Sequence, residues 1–194
     1  MNKSLKIKKI TGIAVFIGLI VDLQLFSNYV TFGPVSITLA LIPIVVGSIV
    51  YGPLAGFFLG FVCGVIVFLA PTTISLFWPC GIVKTFIVCS LKMGLAGLCS
   101  GFIYKLLNNK NKKISVVLAS ISVPIINTGL FALAAYFLFY DLLENLAPAG
   151  QNVVAYLFLS FIGFNFLIEF FVNSVLSPAV LRVVNMAGDT FGIK

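Results

Sequence analysis

Residues 39–64, LALIPIVVGSIVYGPLAGFFLGFVCG, decide the fold of this chain. They form two apolar stretches that meet at a Gly-Pro pair, and the second stretch carries Gly56, Gly60 and Gly64 at four-residue spacing. That spacing places the three glycines along one side of a helix. Lipid provides no hydrophobic effect between helices, so close backbone approach is how such segments associate. The stretch therefore predicts a helical hairpin inside a membrane, with the glycines at a helix-packing contact.

The composition of the whole chain agrees with a membrane protein. The 194 residues are 61% hydrophobic and 9% charged, whereas soluble domains are nearer half apolar and a quarter charged. The basic start of the chain runs into an apolar segment long enough to span, without a small-residue cleavage site, so we expect no cleavable signal peptide. We predict an all-α integral membrane protein in which residues 1–194 form a single domain.

Six segments of the chain are apolar enough to be read as transmembrane helices, each of which needs about 20 residues to cross a bilayer. The fold expected from them is a bundle of six transmembrane helices. The predicted spans are residues 10–27, 37–51, 53–69, 82–105, 114–138 and 153–177.

The positive charges identify the side that each connection faces. Four lysines precede the first span, four more lie in residues 105–113, and Arg182 and Lys194 follow the last span. The three connections that follow the first, third and fifth spans carry no Lys or Arg. Since cytoplasmic loops carry the excess of basic residues, we expect both termini in the cytoplasm. The net charge of +7 is explained by this orientation, so we expect no nucleic-acid partner.

The residues needed for common enzymatic chemistry are missing. The sequence has no His, no HExxH, GxSxG or CxxC motif and no P-loop, and its five acidic residues are dispersed. We therefore expect no enzymatic activity, no metal site and no cofactor. Any ATP-driven transport would have to be energised by a partner.

Polar residues within the spans indicate where a ligand would bind. Ionisable groups at membrane depth are costly, so they usually face the bundle interior or a wet cavity. The fourth, fifth and sixth spans together could line a pocket open to the outside, closed by Trp78 or by loop phenylalanines such as Phe77 and Phe32. The candidate substrate-binding residues are Lys84, Lys92, Asn127, Asn165, Glu169 and Trp78.

Each charged candidate also has a structural explanation. Lys92 and Glu169 could form a buried ion pair that holds two helices together. Lys84 lies near the outer end of its span, where its ammonium could reach the interface. A lysine on the outer side opposes the charge bias, however, which favours a role in binding an anion such as a carboxylate.

Small residues on the first span suggest a second contact surface. Ala14 and Gly18 lie four residues apart, and Asp22 continues the row. Small residues let another helix approach closely. The row fits either ordinary packing within the bundle or docking of a partner subunit.

The opening stretch resembles the second and third helices of the substrate-binding S components of energy-coupling factor (ECF) transporters. Residues 92–107, KMGLAGLCSGFIYKLL, are similar to that family's fourth helix. The resemblance implies capture of a water-soluble vitamin or precursor outside a bacterial plasma membrane. It also implies association with a transmembrane coupling subunit and two cytoplasmic ATPases. The family's docking motif carries over to Ala14 and Gly18, although the family has alanine at both positions.

The resemblance leaves the substrate open. Pantothenate is the first choice, because a small carboxylate would explain Lys84, and folate and riboflavin are alternatives. A different function is a non-transporting membrane scaffold of the rod-shape-determining type. A scaffold needs no pocket, so it predicts that Lys84 and Asn165 can be replaced harmlessly.

Overall fold

Helices carry most of the computed structural model, which describes residues 3–29, 31–32 and 35–191. Two short strands, β1 and β2, pair in antiparallel fashion with Thr31 opposite Ser36. In chain order the elements are α1 Lys3–Ser27, β1 Thr31–Phe32, β2 Val35–Ser36, α2 Leu41–Tyr51, α3 Pro53–Phe68, α4 Pro71–Phe77, α5 Ile82–Leu107, α6 Lys112–Leu138, α7 Tyr140–Leu146, α8 Val153–Tyr156, a π-helix Leu157–Phe161 and α9 Gly163–Phe191.

Four of the described helices, α1, α5, α6 and α9, are long and apolar enough to cross a membrane. Helices α3 and α4 add a fifth span if they count as one, although they are bent by 68° at the break between them. Helix α2 begins at Leu41, four residues later than the sequence predicts, and so has only 11 residues. The chain is thus a helical protein with four or five candidate spans, and the six-span bundle stays a prediction.

The distribution of side chains is that of a protein in lipid. Large apolar residues face outward, including Val83 at 73% exposure and Phe171 at 67%. Polar and charged side chains are buried instead, among them Gln24, Lys92 and Glu169. Since water is absent from the bilayer core, groups that need hydrogen bonds or counter-charges are best placed between helices.

The glycine stripe of α3 packs mainly against α5. A Cβ at Gly60 would lie 2.7 Å from the carbonyl carbon of Met93, and one at Gly64 would lie 2.6 Å from the Cα of Ser90. A Cβ at Gly56 would meet both Gly97 of α5 and Ser48 of α2. The two backbones therefore touch along the whole stripe, and the tightest partner of α3 is α5 rather than α2.

The turn between α2 and α3 uses the Gly-Pro pair directly. Gly52 has φ 97°, a backbone conformation that side chains with a Cβ rarely adopt. Pro53 follows as the first residue of α3. A backbone N–H at this position would have no acceptor within the helix, so proline costs no hydrogen bond there. The turn lies at the end of the bundle opposite the ends of α3 and α6.

The last predicted span is interrupted in the structure. Helix α8 continues into the π-helix, and Ile162 separates this segment from α9. A Cβ at Gly163 would collide with the carbonyl oxygen of Phe158, so glycine is required at the start of α9. π-helical turns often occur at functional sites, and this one lies beside the largest group of buried polar residues.

Candidate functional site

A cavity lies at the end of the bundle where α3 and α6 end and where α5 and α9 begin. The cavity has a volume of about 50 Å³, enough for a few water molecules. Polar wall residues come from the loop before α2 and from α4, α5, α6 and α9. They are Thr38, Thr72, Thr73, Thr85, Lys92, Asn127, Thr128, Asn165 and Glu169.

Lys92 contributes the positive charge of the cavity. It lies ten residues after the start of α5, which places it about 15 Å along the helix. Its side chain is 7% exposed, and its Nζ lies 4.4 Å from the centre of the Phe131 ring. No hydrogen-bond acceptor or carboxylate among the described residues contacts this ammonium. A buried cation without an acceptor is costly, so a negative or strongly polar group in the cavity would stabilise it.

Glu169 contributes the negative charge from the opposite wall. Its side chain is 4% exposed, and its Oε1 accepts a hydrogen bond of 2.8 Å from the main-chain N–H of Thr38. Lys92 attracts this carboxylate through space, but the described residues include no direct ion pair between them. The ion-pair explanation of these two residues therefore does not describe this arrangement. Glu169 instead ties the loop before α2 to α9.

Two asparagines complete the polar wall. Asn127 of α6 is 4% exposed, and its Oδ1 is buried without a hydrogen-bond partner. Its side chain also interacts with the carboxylate of Glu169. Asn165 of α9 lines the same cavity at 6% exposure. Because the Oδ1 of Asn127 is fully buried, a hydroxyl or amide donor would reach this unpartnered acceptor only when the cavity widens.

An aromatic wall, formed by Phe77, Phe131 and Phe139, encloses the polar groups. Phe77 lies edge-on to Phe139, with 5.1 Å between ring centres, and to Phe131, with 5.8 Å between ring centres. All three residues line the cavity. Of the loop phenylalanines predicted to close the pocket, Phe77 forms part of this wall, and the side chain of Phe32 lies outside the described part of the structure. Phe131 and Phe139 were not predicted, because the chain has 20 phenylalanines and their spacing does not distinguish lipid-facing rings from cavity-facing ones.

Two sequence-predicted binding residues lie outside the cavity wall. Trp78 stacks on Phe68 at 5.1 Å and donates its indole N–H to the carbonyl oxygen of Phe68 at 3.2 Å. Lys84 donates from Nζ to the carbonyl oxygen of Leu138 at 2.9 Å. The remaining four predicted residues, Lys92, Asn127, Asn165 and Glu169, are brought together around one cavity.

The predicted docking residues lie on an open face of α1. Ala14 and Gly18 are both exposed, and a Cβ at Gly18 would meet no atom within 4 Å. Asp22 on the same row is exposed as well. This face is not used for packing within the described part of the bundle, so another helix has room to approach it.

The wall of the cavity suits binding rather than bond cleavage. It offers one ammonium, one carboxylate, amide groups and hydroxyls against apolar rings, which is the usual make-up of a small-molecule site. Such sites usually have volumes of roughly 300–1,000 Å³. A ligand larger than a few waters would therefore have to widen the cavity.

Comparisons with known proteins identify relatives of the chain. A sequence profile for the substrate-specific component of ECF transporters matches residues 8–181. The pantothenic acid transporter PanT of Lactococcus lactis subsp. cremoris (strain MG1363) is 29% identical over a 203-residue alignment. That alignment covers 96% of this chain and 98% of the relative. No solved structure gives a significant match.

Proposed function

The chain belongs to the substrate-specific components of ECF transporters, and we propose that the substrate it captures is pantothenate. The relative named as a pantothenic acid transporter aligns over nearly the full length of both chains. Similarity at 29% identity leaves room for a change of substrate, so the chemistry of the cavity must support the assignment independently.

The observation that carries the proposal is the unsatisfied ammonium of Lys92. At 7% exposure it needs an anion, and the carboxylate of pantothenate supplies one. A charge-assisted hydrogen bond in a dry site is worth about twice a neutral one. Lys92 thus takes the role that the sequence analysis assigned to Lys84.

The rest of the pantothenate molecule matches the other groups of the cavity. Its hydroxyls and amide N–H are donors for the Oδ1 of Asn127 and for the carboxylate of Glu169. Its gem-dimethyl group is apolar and fits against the rings of Phe131 and Phe139. Binding this molecule would require the cavity to expand from its present volume of about 50 Å³.

The alternative substrates fit less well. Riboflavin has no carboxylate to neutralise Lys92, and folate is much larger than pantothenate and would demand a greater expansion of the cavity. A non-transporting scaffold would have no use for a buried cation that lacks an acceptor. No observation on this chain favours the scaffold.

The orientation and the partners complete the proposal. With both termini in the cytoplasm, the loop of residues 105–113 and the Gly52-Pro53 turn are cytoplasmic, and the cavity opens to the outside of a bacterial plasma membrane. A transmembrane coupling subunit would dock on the α1 face around Ala14 and Gly18. Two cytoplasmic ATPases would supply the ATP hydrolysis, since the chain has no P-loop.

A binding screen tests the substrate. The purified chain in detergent is titrated calorimetrically with pantothenate, riboflavin, folate and thiamine at equal concentrations. We expect saturable binding of pantothenate alone. Binding of riboflavin or folate in its place would overturn the assignment to pantothenate. If a folded chain bound none of the four vitamins, the scaffold would become the better explanation.

A further inference from the structure

We propose that Lys84 is a positioning residue that holds the aromatic wall of the cavity in its closed arrangement, without contacting the substrate. This inference rests on the proposed function, because it concerns how a ligand gains access to the same cavity. It replaces the expectation that Lys84 binds a carboxylate directly.

Lys84 joins the beginning of α5 to the end of α6. It lies in the first turn of α5, and its Nζ donates to the carbonyl oxygen of Leu138, the last residue of α6, at 2.9 Å. A cation at the C-terminus of a helix interacts favourably with the helix dipole and with carbonyl groups that have no intrahelical donor. The side chain is partly exposed, and the hydrogen bond to Leu138 lies at the protein surface.

The same ammonium acts on a residue of the cavity wall. Nζ of Lys84 lies 5.0 Å from the centre of the Phe139 ring, a distance at which a cation is attracted to an aromatic face. Phe139 is 2% exposed and lines the cavity. Lys84 therefore touches the outer side of the wall, while the substrate would touch its inner side.

A continuous row of rings links Lys84 to Lys92, two of the lysines of α5. Phe139 packs on Phe77 at 5.1 Å, and Phe77 packs on Phe131 at 5.8 Å. The Nζ of Lys92 in turn lies 4.4 Å from the centre of the Phe131 ring. A shift of Phe139 would therefore disturb the packing of Phe131, the ring that the ammonium of Lys92 contacts.

Phe139 lies at a joint in the backbone. It separates α6 from α7 with φ −129° and ψ 28°, which is outside helical geometry. A short connection of this kind can absorb a change in the angle between two helices. Because the cavity must widen to admit a ligand, opening at this joint would break the bond from Lys84 to Leu138. Lys84 therefore slows opening of the site, and with it both the entry and the release of a ligand.

Rates of ligand exchange test the proposal. Stopped-flow binding of pantothenate is measured for the wild type, Lys84→Met, Lys84→Gln and Lys84→Arg, with the exposed Lys105→Met on the same helix as the control. Met and Gln remove the charge, so we expect both the association and the dissociation rates to rise about tenfold, while the Kd changes less than the rates. Arg can still donate to the carbonyl and stack on the ring, so we expect it to restore wild-type rates.

Pantothenol, in which an alcohol replaces the carboxylate, separates positioning from direct contact. A positioning role predicts the same acceleration by Lys84→Met for pantothenol as for pantothenate. A loss of affinity confined to pantothenate would show that Lys84 binds the carboxylate and would overturn the proposal. Unchanged rates for both ligands would overturn it as well.

A measurement without ligand keeps this inference separate from the proposed function. Amide hydrogen exchange across residues 135–146 is compared between the wild type and Lys84→Met. We expect faster exchange at this joint in the variant and no change across residues 53–68. If pantothenate does not bind the wild type, the proposed function fails. The positioning role fails separately, if residues 135–146 exchange equally fast in the wild type and in Lys84→Met.

Discussion

Replacing Gly60 by alanine tests the helix packing that supports the whole bundle. The added methyl would collide with the carbonyl group of Met93, whose carbon would lie 2.7 Å away, and with the Cα of Gly94 at 3.1 Å. Both neighbours belong to the backbone of α5, so no side chain can turn aside. Helices α3 and α5 would have to separate by about 1 Å to reach normal contact distances.

The magnitude follows from two opposing terms. Overpacking of a close contact costs about 1–3 kcal/mol, and separation would also weaken the contacts at Gly56 and Gly64. Alanine recovers about 1 kcal/mol relative to glycine through its helix propensity. The difference is about 0–2 kcal/mol, and the weakened contacts at Gly56 and Gly64 place the expected net destabilisation at the upper end, about 2 kcal/mol. For a chain of this size that is a fall of about 5 °C in the unfolding midpoint.

The native cysteines provide the assay. Cys63 of α3 and Cys89 of α5 are buried beside the stripe, whereas Cys80 and Cys99 are partly exposed. In a chain whose Cys80 and Cys99 are replaced by serine, a thiol-reactive fluorophore therefore reports the exposure of the two buried thiols as the detergent-solubilised chain unfolds. Gly18→Ala is the matched control, because a Cβ there meets no atom within 4 Å and should leave the midpoint unchanged or higher. Equal midpoints for Gly60→Ala and Gly18→Ala would refute the close packing of α3 on α5.

Three further predictions concern the site, the docking face and the orientation. Asn127→Leu removes the unpartnered acceptor, so the Kd for pantothenate, measured by calorimetry on the folded variant, should rise about 5–30-fold; an unchanged Kd would contradict its role. The double variant Ala14→Leu and Gly18→Leu should bind pantothenate normally but fail to co-purify with a coupling subunit, and an intact complex would exclude this docking face. In a cysteine-free background, an impermeant maleimide added outside cells should label Gln151→Cys and not Lys110→Cys, and the reverse pattern would invert the topology.

Much of the site could be predicted because membrane burial makes polar residues informative. Lys92, Asn127, Asn165 and Glu169 lie on apolar segments, where each must find a partner or a cavity, and they converge on one cavity. The glycine stripe was likewise readable as a packing contact. The identity of the helix that packs against the stripe could not be predicted, because four-residue spacing defines one face of α3 and contains no information about which helix covers that face.

The remaining features depend on contacts between distant parts of the chain. Lys84 was assigned to a ligand on charge alone, whereas its ammonium is engaged by the carbonyl oxygen of Leu138 at 2.9 Å. Trp78 was assigned to the pocket, but the ring of Phe68 and its carbonyl oxygen hold it in place. The interruption at Ile162 could not be predicted from the hydrophobicity of residues 153–177, because the residues around the break are as apolar as those of an unbroken helix.

The most direct test of the account is a thermodynamic cycle on the contact between Lys92 and the substrate carboxylate. Calorimetry gives the Kd of pantothenate and pantothenol for the wild type and for Lys92→Met, with Lys105→Met as the control. We expect the wild type to prefer pantothenate by roughly 10–150-fold, the range of a charge-assisted hydrogen bond. Lys92→Met should bind both ligands about equally weakly. A wild type that binds both ligands alike, or a Lys92→Met variant that keeps the preference for pantothenate, would contradict the central claim.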